Sequence, residues 1–415
     1  MYKVLARKYR PTKLSEIIGQ DIAVRILKNA IDANRLHHAI LLSGPMGVGK
    51  TSTARIIAKS LNCEKGTSSE PCNECESCIS IAKGKNVDVI EIDGASNRKV
   101  DDARNIIESV KYPPLKNRFK IYIIDEVHML TIEAFNALLK TIEEPPDYVK
   151  FIFATTAMEK IPDTILSRCQ IITLKKIPTD LIKLKLRTIA DREKIKIDDD
   201  ALDIIAFASF GSMRVAEGYL DRCIAYKPDG LAQSDVSKVI GVSEKKTIED
   251  YFGDILSRNT SSALEKLKLL DERDTNFEIF AQQCIDFLLS LEAVALEHKT
   301  ALLNIYYTAL LDIKQKIEPL SVLNVATYKA SAVLSLERVE SVIEKLSNME
   351  FPGSPHNEQN EMVYDNIDFA ADNSAQEIKT SEESQNTDSS ELDENVRLIL
   401  KEFEGKIITV EKLNK

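Results

Sequence analysis

The stretch Leu41 to Thr51, LLSGPMGVGKT, leaves this chain few choices of fold. An apolar run of strand type, Ala39–Ser43, leads into it, and Ser52–Leu61 (STARIIAKSL) leaves it as an amphipathic helix. Gly44, Pro45, Met46, Gly47, Val48, Gly49, Lys50 and Thr51 thus fill the pattern of a phosphate-binding loop set between a strand and a helix. Glycines let backbone N–H groups close around phosphate oxygens, and the start of the helix adds partial positive charge. In such a loop Lys50 reaches the β- and γ-phosphates and the Thr51 hydroxyl ligates Mg²⁺. At an ordinary Gly usage of about 7%, an accidental match in a chain this long is expected on the order of 1% of the time. The pattern predicts a nucleotide site.

The run Ile121 to Leu130, IYIIDEVHML, supplies the second half of that site. Four apolar residues form a buried strand, and two carboxylates follow at its C-terminal end, where α/β sheets place ligands. Asp125 is expected in the Mg²⁺ shell, and Glu126 is expected to orient or deprotonate the attacking water. Modest basicity suffices for Glu126, because positioning and charge stabilisation dominate phosphoryl transfer. An Asp-Glu pair alone would read as a solvated strand end; downstream of an intact phosphate loop it reads as chemistry.

Cys63, Cys72, Cys75 and Cys78 form a second constellation, in CEKGTSSEPCNECESC. The last three are spaced by two residues, and a short loop with Gly66 and Pro71 brings Cys63 back to them. Four thiolates suit a closed, tetrahedral Zn²⁺ site, which would be structural and would pin an inserted knuckle. An iron–sulfur cluster is the weaker alternative for the same ligands. Cys169, Cys223 and Cys284 lie in apolar or helical settings and read as core residues.

Along the chain, residues 1–178 alternate strand-like and helical stretches, the mark of a mainly parallel α/β sheet. The expected strands are Ala39–Ser43, Val87–Ile92, Lys120–Asp125, Lys150–Thr155 and Gln170–Leu174. Ile17–Ala33 and Ile132–Ile142 read as helices, the second stopped by Pro145-Pro146. Residues 179–242 are helical only: Thr179–Glu193, Asp199–Ala208, Arg214–Ile224 and a short helix from Ser234. A second all-helical block at 243–350 includes Leu264–Leu270, Phe277–Leu296 and Tyr328–Leu346. Residues 351–390 are rich in Asn, Ser, Glu and Asp and read as a disordered acidic linker. At 391–415, Leu392, Val396, Ile399 and Phe403 share a helical face, and KIITV follows as a strand; a docking element is the expectation.

The chain's 415 residues carry a net charge of −10. Nine acids against one base between Phe351 and Ser390 give that segment −8, so the rest is near neutral and is free to present a basic face to nucleic acid. No run of 18 apolar residues occurs and the N-terminus has no apolar signal core, so a cytoplasmic protein is expected. In that setting the seven cysteines point to metal or free thiols rather than disulfides.

Taken in order, the phosphate loop, the four-cysteine insertion, IDEVHML, FNALLKTIEEPP, FIFATT, ILSRC and GSMR resemble the gamma/tau subunits of bacterial DNA polymerase III. These are AAA+ ATPases, the motors of the clamp loader. LARKYRPTKLSEIIGQ, HHAILLSGPMGVGKT and EIDGASNRKVDDAR add to the match, which is dense over residues 1–240, looser over 243–349 and weak beyond 350. The resemblance implies an AAA+ domain with a zinc-knuckle insertion at 1–178, a helical lid at 179–242 and an all-α oligomerisation collar at 243–350. It implies ATP on Gly44 to Thr51, Mg²⁺ at Thr51 and Asp125, and zinc on the four cysteines. Thr156 (or Thr155) would read the γ-phosphate, and Arg214 would contact nucleotide from the lid. Arg168 of ILSRC would act as an arginine finger in the neighbouring subunit's site; outside this resemblance each of these arginines reads as a surface ion pair.

The implied activity is ATP-driven opening of a ring-shaped sliding clamp and its loading onto primed DNA. The implied partners are delta and delta-prime type subunits, further copies of the chain, the clamp and the DNA. Arg98, Lys99 and Arg104 are candidate phosphate contacts, equally readable as a solvated charged turn. Longer gamma/tau chains end in domains that bind the replicative helicase and the polymerase catalytic subunit; residues 391–415 would be at most a reduced polymerase-docking segment. No polymerase active site is visible. A branch-migration helicase of the AAA+ class and a non-hydrolysing clamp-loader stator are the competing readings. The knuckle and ILSRC argue against the first; Lys50, Thr51, Asp125 and Glu126 argue against the second.

Overall fold

Strands and helices alternate as the hydrophobic pattern requires, and the order in which they do so places the glycine-rich loop. The computed structural model describes residues 2–96, 100–291 and 296–333. A short helix α1 (Leu5–Lys8) and then α2 (Asp21–Asp32) precede β1 (Ala39–Ser43). Next, α3 (Lys50–Asn62) and α4 (Glu76–Ala82) lead to β2 (Val89–Asp93), and α5 (Val100–Val110) leads to β3 (Lys120–Asp125). After these, α6 (Ile132–Glu143) leads to β4 (Val149–Thr155), and α7 (Asp163–Leu166) to β5 (Gln170–Thr173). The five strands form one sheet in the order β2-β3-β4-β1-β5, every pairing parallel. Parallel neighbours need crossover connections, and the helices supply them while covering both faces.

Burial on both faces explains why the inner strands read as unbroken apolar runs. Ile40, Leu42, Ile121, Ile123 and Ile152 join Leu27 and Ile31 of α2 and Ile56 and Ile57 of α3 in one core. Leu41, Tyr122, Ile124, Phe151 and Phe153 point the other way, onto Ile106 of α5 and Leu138 and Ile142 of α6. Each fully buried side chain of this kind contributes about 1.5–3 kcal/mol. At the carboxyl edge, Ser43 lies in register with Thr155, and Asp93 with Asp125.

A second block contains α8 (Thr179–Glu193), α9 (Asp199–Ala208), α10 (Met213–Tyr226) and α11 (Gln233–Ile240). Its core, built on Leu186, Ile189, Leu202, Ile205 and Leu220, also takes in Leu5 of α1. A third block follows with α12 (Lys245–Leu256), α13 (Thr260–Asp271), α14 (Phe277–Ser290), α15 (Leu296–Lys314) and α16 (Pro319–Val333). Among the described residues no helix is long and apolar enough to cross a membrane.

Several expected bounds shift. The helix expected from Ile17 starts at Asp21, because Gly19 turns the chain at φ 69°. The strand expected from Val87 starts at Val89, on the sheet's edge. The single helix expected over Phe277–Leu296 is corrected: α14 ends at Ser290, where Leu291 becomes extended at φ −74°, ψ 122°. Lys299 of α15 donates to the Leu289 and Leu291 carbonyls at 2.9 and 2.6 Å, satisfying the end of α14 without Gly or Pro. The linker at 351–390, the element at 391–415, Arg98, Lys99 and the part of Tyr328–Leu346 beyond Val333 lie outside the described residues.

The third block's core holds a chain of hydroxyls. Thr327 donates to the Leu323 carbonyl at 2.7 Å, so Tyr251 must donate to Thr327, at 2.7 Å, and Tyr306 to Tyr251, at 2.8 Å. All three side chains are wholly buried. Tyr251→Phe strands the Tyr306 donor, and a loss of about 1–3 kcal/mol is expected in denaturant unfolding. The same change at exposed Tyr307 should be close to neutral.

Candidate nucleotide site and metal centre

The loop at 44–51 leaves β1 with a backbone that its three glycines allow, and two of them are also pressed by neighbours. Gly44 has φ 148°, and a Cβ there would lie 2.1 Å from the Leu174 carbonyl oxygen. Gly47 has φ 79°, and a Cβ there would lie 2.0 Å from Ser212 Oγ. Gly47 therefore meets the second block directly, at the residue that caps α10. The Arg214 N–H donates to the Gly47 carbonyl at 3.4 Å, and Ser212 Oγ accepts from Val215 N at the same distance. The positive end of a 14-residue helix thus abuts the loop from one side, while α3 starts from it on the other. The N-termini of both helices thus lie at the loop, and a helix N-terminus favours an anion.

Inside the loop, Lys50 is buried, and its Nζ donates to the Gly44 and Pro45 carbonyls, both at 2.8 Å. Burial lowers its pKa, while the carboxylates of Glu126 and Asp125 act to raise it. Thr51 donates its hydroxyl proton to Asp125 Oδ2 at 2.6 Å. That contact joins the loop to the end of β3 and pairs the hydroxyl and carboxylate that suit a hard divalent cation such as Mg²⁺.

Glu126 follows in the left-handed region, at φ 47°, which turns its side chain back over the sheet's edge. Its Oε2 accepts from Thr156 Oγ1 at 2.9 Å and lies 3.4 Å from His128 Nδ1. Of the two threonines considered from sequence, Thr156 is exposed and touches Glu126. Thr155 is buried, 3.1 Å from His128 Nδ1, and accepts from Ala157 N. Arg168 stands apart from this cluster: it donates to Glu143 Oε2 at 3.1 Å and to the Thr164 carbonyl at 2.9 Å.

Sequence reasoning passed over Ser212, His128 and Arg10. Ser212 was in plain view inside GSMR. His128 comes to the site because a single turn of 3₁₀ helix, Val127–Met129, follows Glu126. Arg10 lies in LARKYRPTKLSEIIGQ, which resembles the family's nucleotide-contacting N-terminal segment, but was not singled out within it; burial lowers its pKa, as do the neighbouring guanidinium groups of Arg55, Arg214 and Arg7, with Glu91 opposing.

At the other end of α3 the four cysteines meet. The Sγ atoms of Cys63, Cys72, Cys75 and Cys78 all lie within 4.8 Å of one another, with Cys72 and Cys78 at 3.9 Å. Sulfurs placed about 2.3 Å from one tetrahedral Zn²⁺ are roughly 3.8 Å apart, so the cage fits a single ion. Backbone N–H groups already point at the sulfurs: Cys72 N at Cys63, Glu74 N and Cys75 N at Cys72, and Cys78 N at Cys75, at 3.4–3.5 Å. The donors from Glu74 and Cys75 pull the Cys72 thiol down to about 6, whereas burial pushes Cys78 up. Lys59 lies alongside; burial lowers its pKa, and the charges of Cys78, Glu16 and Cys72 raise it. Of the remaining cysteines, Cys223 and Cys284 are buried as expected and Cys169 partly so.

Gly47→Ala forces a methyl group into Ser212 and strains φ, at a cost of about 1–3 kcal/mol. A nucleotide titration should show affinity falling about tenfold or more by the corresponding conversion. Adding Ser212→Gly should restore part of that loss by removing the clash while the strained φ remains.

Residues 19–178 match the family described as DNA polymerase III, delta subunit. The chain is 42% identical over 287 residues to the DNA polymerase III subunit gamma of Buchnera aphidicola subsp. Acyrthosiphon pisum, covering 69% of this chain and 80% of that one. It is 45% identical over 269 residues to the subunit tau of Bacillus subtilis, covering 65% and 48%. Against the subunit tau of Escherichia coli it is 47% identical over 240 residues, covering 58% and 37%. The chain thus spans less than half the length of these two tau subunits. Among solved structures, the RuvB Holliday junction branch migration motor of Thermotoga maritima is similar with 22% identity and a TM-score of 0.43, over 60% of this chain and 79% of that one. That likeness is too distant to bear on this chain's chemistry. Identity of 42% across 80% of a gamma subunit is decisive: the chain belongs to the gamma/tau subunit family of DNA polymerase III.

Proposed function

We propose that the chain is the ATPase motor subunit of a bacterial clamp loader, an AAA+ protein that opens the sliding clamp and loads it onto primed DNA. The observation that carries this reading is the 2.6 Å bond from the Thr51 hydroxyl to Asp125, set beneath a glycine loop that a second helical block touches. Mg²⁺ bound between those two groups would neutralise charge on the β- and γ-phosphates. Lys50 swings from the loop carbonyls to the phosphates. Glu126, released from Thr156, orients the attacking water, and Thr156 is left beside the γ-phosphate. Arg214, at the start of α10, makes the second block a lid that senses the nucleotide.

The ring supplies what one copy lacks. Arg168 is tied to Glu143 and Thr164 within its own chain, and neither partner belongs to the loop at 44–51. As a finger it serves the neighbouring subunit's ATP, so turnover requires assembly. Copies of the chain, together with delta and delta-prime type subunits, associate through the third block as a collar. The bound spiral holds the open clamp, and hydrolysis after primed DNA enters loosens the subunits and leaves the clamp closed on DNA. Contacts to that DNA are to phosphates rather than bases.

The test is ATP turnover by the reconstituted assembly with clamp and primer–template. Lys50→Ala should abolish ATP binding. Arg168→Ala should leave binding intact and suppress turnover about 10³-fold or more, in the range of other arginine fingers. Normal turnover by assembled Arg168→Ala would overturn the finger assignment, and turnover that ignores clamp and DNA would overturn the clamp-loader reading.

A further inference from the structure

Lys59 is a lysine in an unusual place. It sits on α3 near the metal cage and its side chain is 3% exposed. A buried ammonium costs several kcal/mol unless it is paired and hydrogen-bonded. Here Nζ donates to Asn73 Oδ1 and to the Thr12 carbonyl, both at 2.6 Å. Asn73 belongs to the cysteine knuckle, between Cys72 and Cys75, and holds φ 63° while its Nδ2 donates to the Pro71 carbonyl at 3.0 Å. Thr12 belongs to the N-terminal segment, and its N–H donates to Glu16 Oε2 at 2.7 Å.

That N-terminal segment crosses from one block to another. Tyr2 and the Leu5 N–H bond the two oxygens of Asp221 on α10, at 2.5 and 2.8 Å. Lys8 and the Tyr9 hydroxyl both reach Glu193 at the end of α8. Leu5 lies in the core of the second block, whereas Leu14 and Ile17 lie in the core beneath the sheet. Residues 10–13 are therefore a strap between the two. Lys59 grips both the strap and the knuckle. Helix α3 then connects that grip to Lys50 and Thr51 at its other end.

We propose that Lys59 is a positioning residue that joins the metal knuckle to the N-terminal strap, so that filling the knuckle with zinc and holding a nucleotide favour each other. The proposal rests on the zinc and nucleotide readings above. Metal fixes the turn that carries Asn73; Asn73 fixes Lys59; Lys59 holds Thr12 and so the strap that links the sheet to α10. Linkage of this kind is reciprocal, so a bound nucleotide tightens metal binding by the same free energy by which metal tightens nucleotide binding.

The experiment uses the full chain, zinc-loaded or stripped with a chelator, as wild type, Asn73→Gly, Asn73→Asp and Lys59→Met. Asn73→Gly keeps the left-handed turn and removes both the Oδ1 acceptor for Lys59 and the Nδ2 donor to Pro71; Asn73→Asp puts back the acceptor but not the donor, so its recovery isolates the bond to Lys59. Two quantities are read: amide hydrogen exchange between residues 10 and 14, and the Kd of a fluorescent ATP analogue. In zinc-loaded Asn73→Gly and Lys59→Met the strap should exchange faster and Kd should rise about fivefold or more. Asn73→Asp should return both towards wild type. Stripping zinc should have the same effect on wild type and add little to Asn73→Gly. Strap exchange unchanged in Asn73→Gly, or a stripping penalty as large in Asn73→Gly as in wild type, would overturn the joint. A wild type that binds no nucleotide sinks the functional reading instead, and strap exchange alone then decides the joint.

Discussion

Everything at the candidate site depends on the close approach of Gly47 to the start of α10. The loop has to be bare at that position, because a single methyl group would collide with Ser212. Once the approach is made, the loop is no longer a feature of the sheet alone. Its carbonyl at Gly47 accepts from Arg214, so the first turn of α10 lies against the loop from which α3 starts. Under the proposed function, an anion bound there would contact two blocks at once, and its binding energy would be available to set the angle between them.

The remaining groups are arranged around that space by simple means. A parallel sheet puts the ends of β1, β3 and β4 on one edge, so Thr51, Asp125 and Thr156 converge from positions far apart in sequence. Glu126 is held by Thr156 and lies near His128 in a strained, left-handed turn, a conformation that persists only where surrounding contacts impose it. At the far end of α3, zinc on the four cysteines would give an inserted segment of little apolar content the rigidity that a core would otherwise supply.

Much of this was legible from residues alone, and what was legible was local. The loop, β1, β3, α8 and α9 could be bounded because strand and helix periods there are uninterrupted and the chemistry lies within a dozen residues. The cysteine cage was legible for the same reason, being built on short spacings. The break between α14 and α15 was not, because its cap comes from Lys299, a long-range partner with no turn-forming residue to announce it. Lys59 reads in sequence as an ordinary helical lysine, and only the fold shows it buried between Thr12 and Asn73. Arg168 and Glu143, paired at 3.1 Å, lie 25 residues apart with a strand between them, beyond the reach of any local pattern.

The claim that one nucleotide is shared by the loop and α10 is tested most directly by amide hydrogen exchange with and without a non-hydrolysable ATP analogue. Sharing predicts that protection rises together at residues 47–51 and at residues 212–215. Protection confined to 47–51, with 212–215 exchanging as in the free chain, would contradict it.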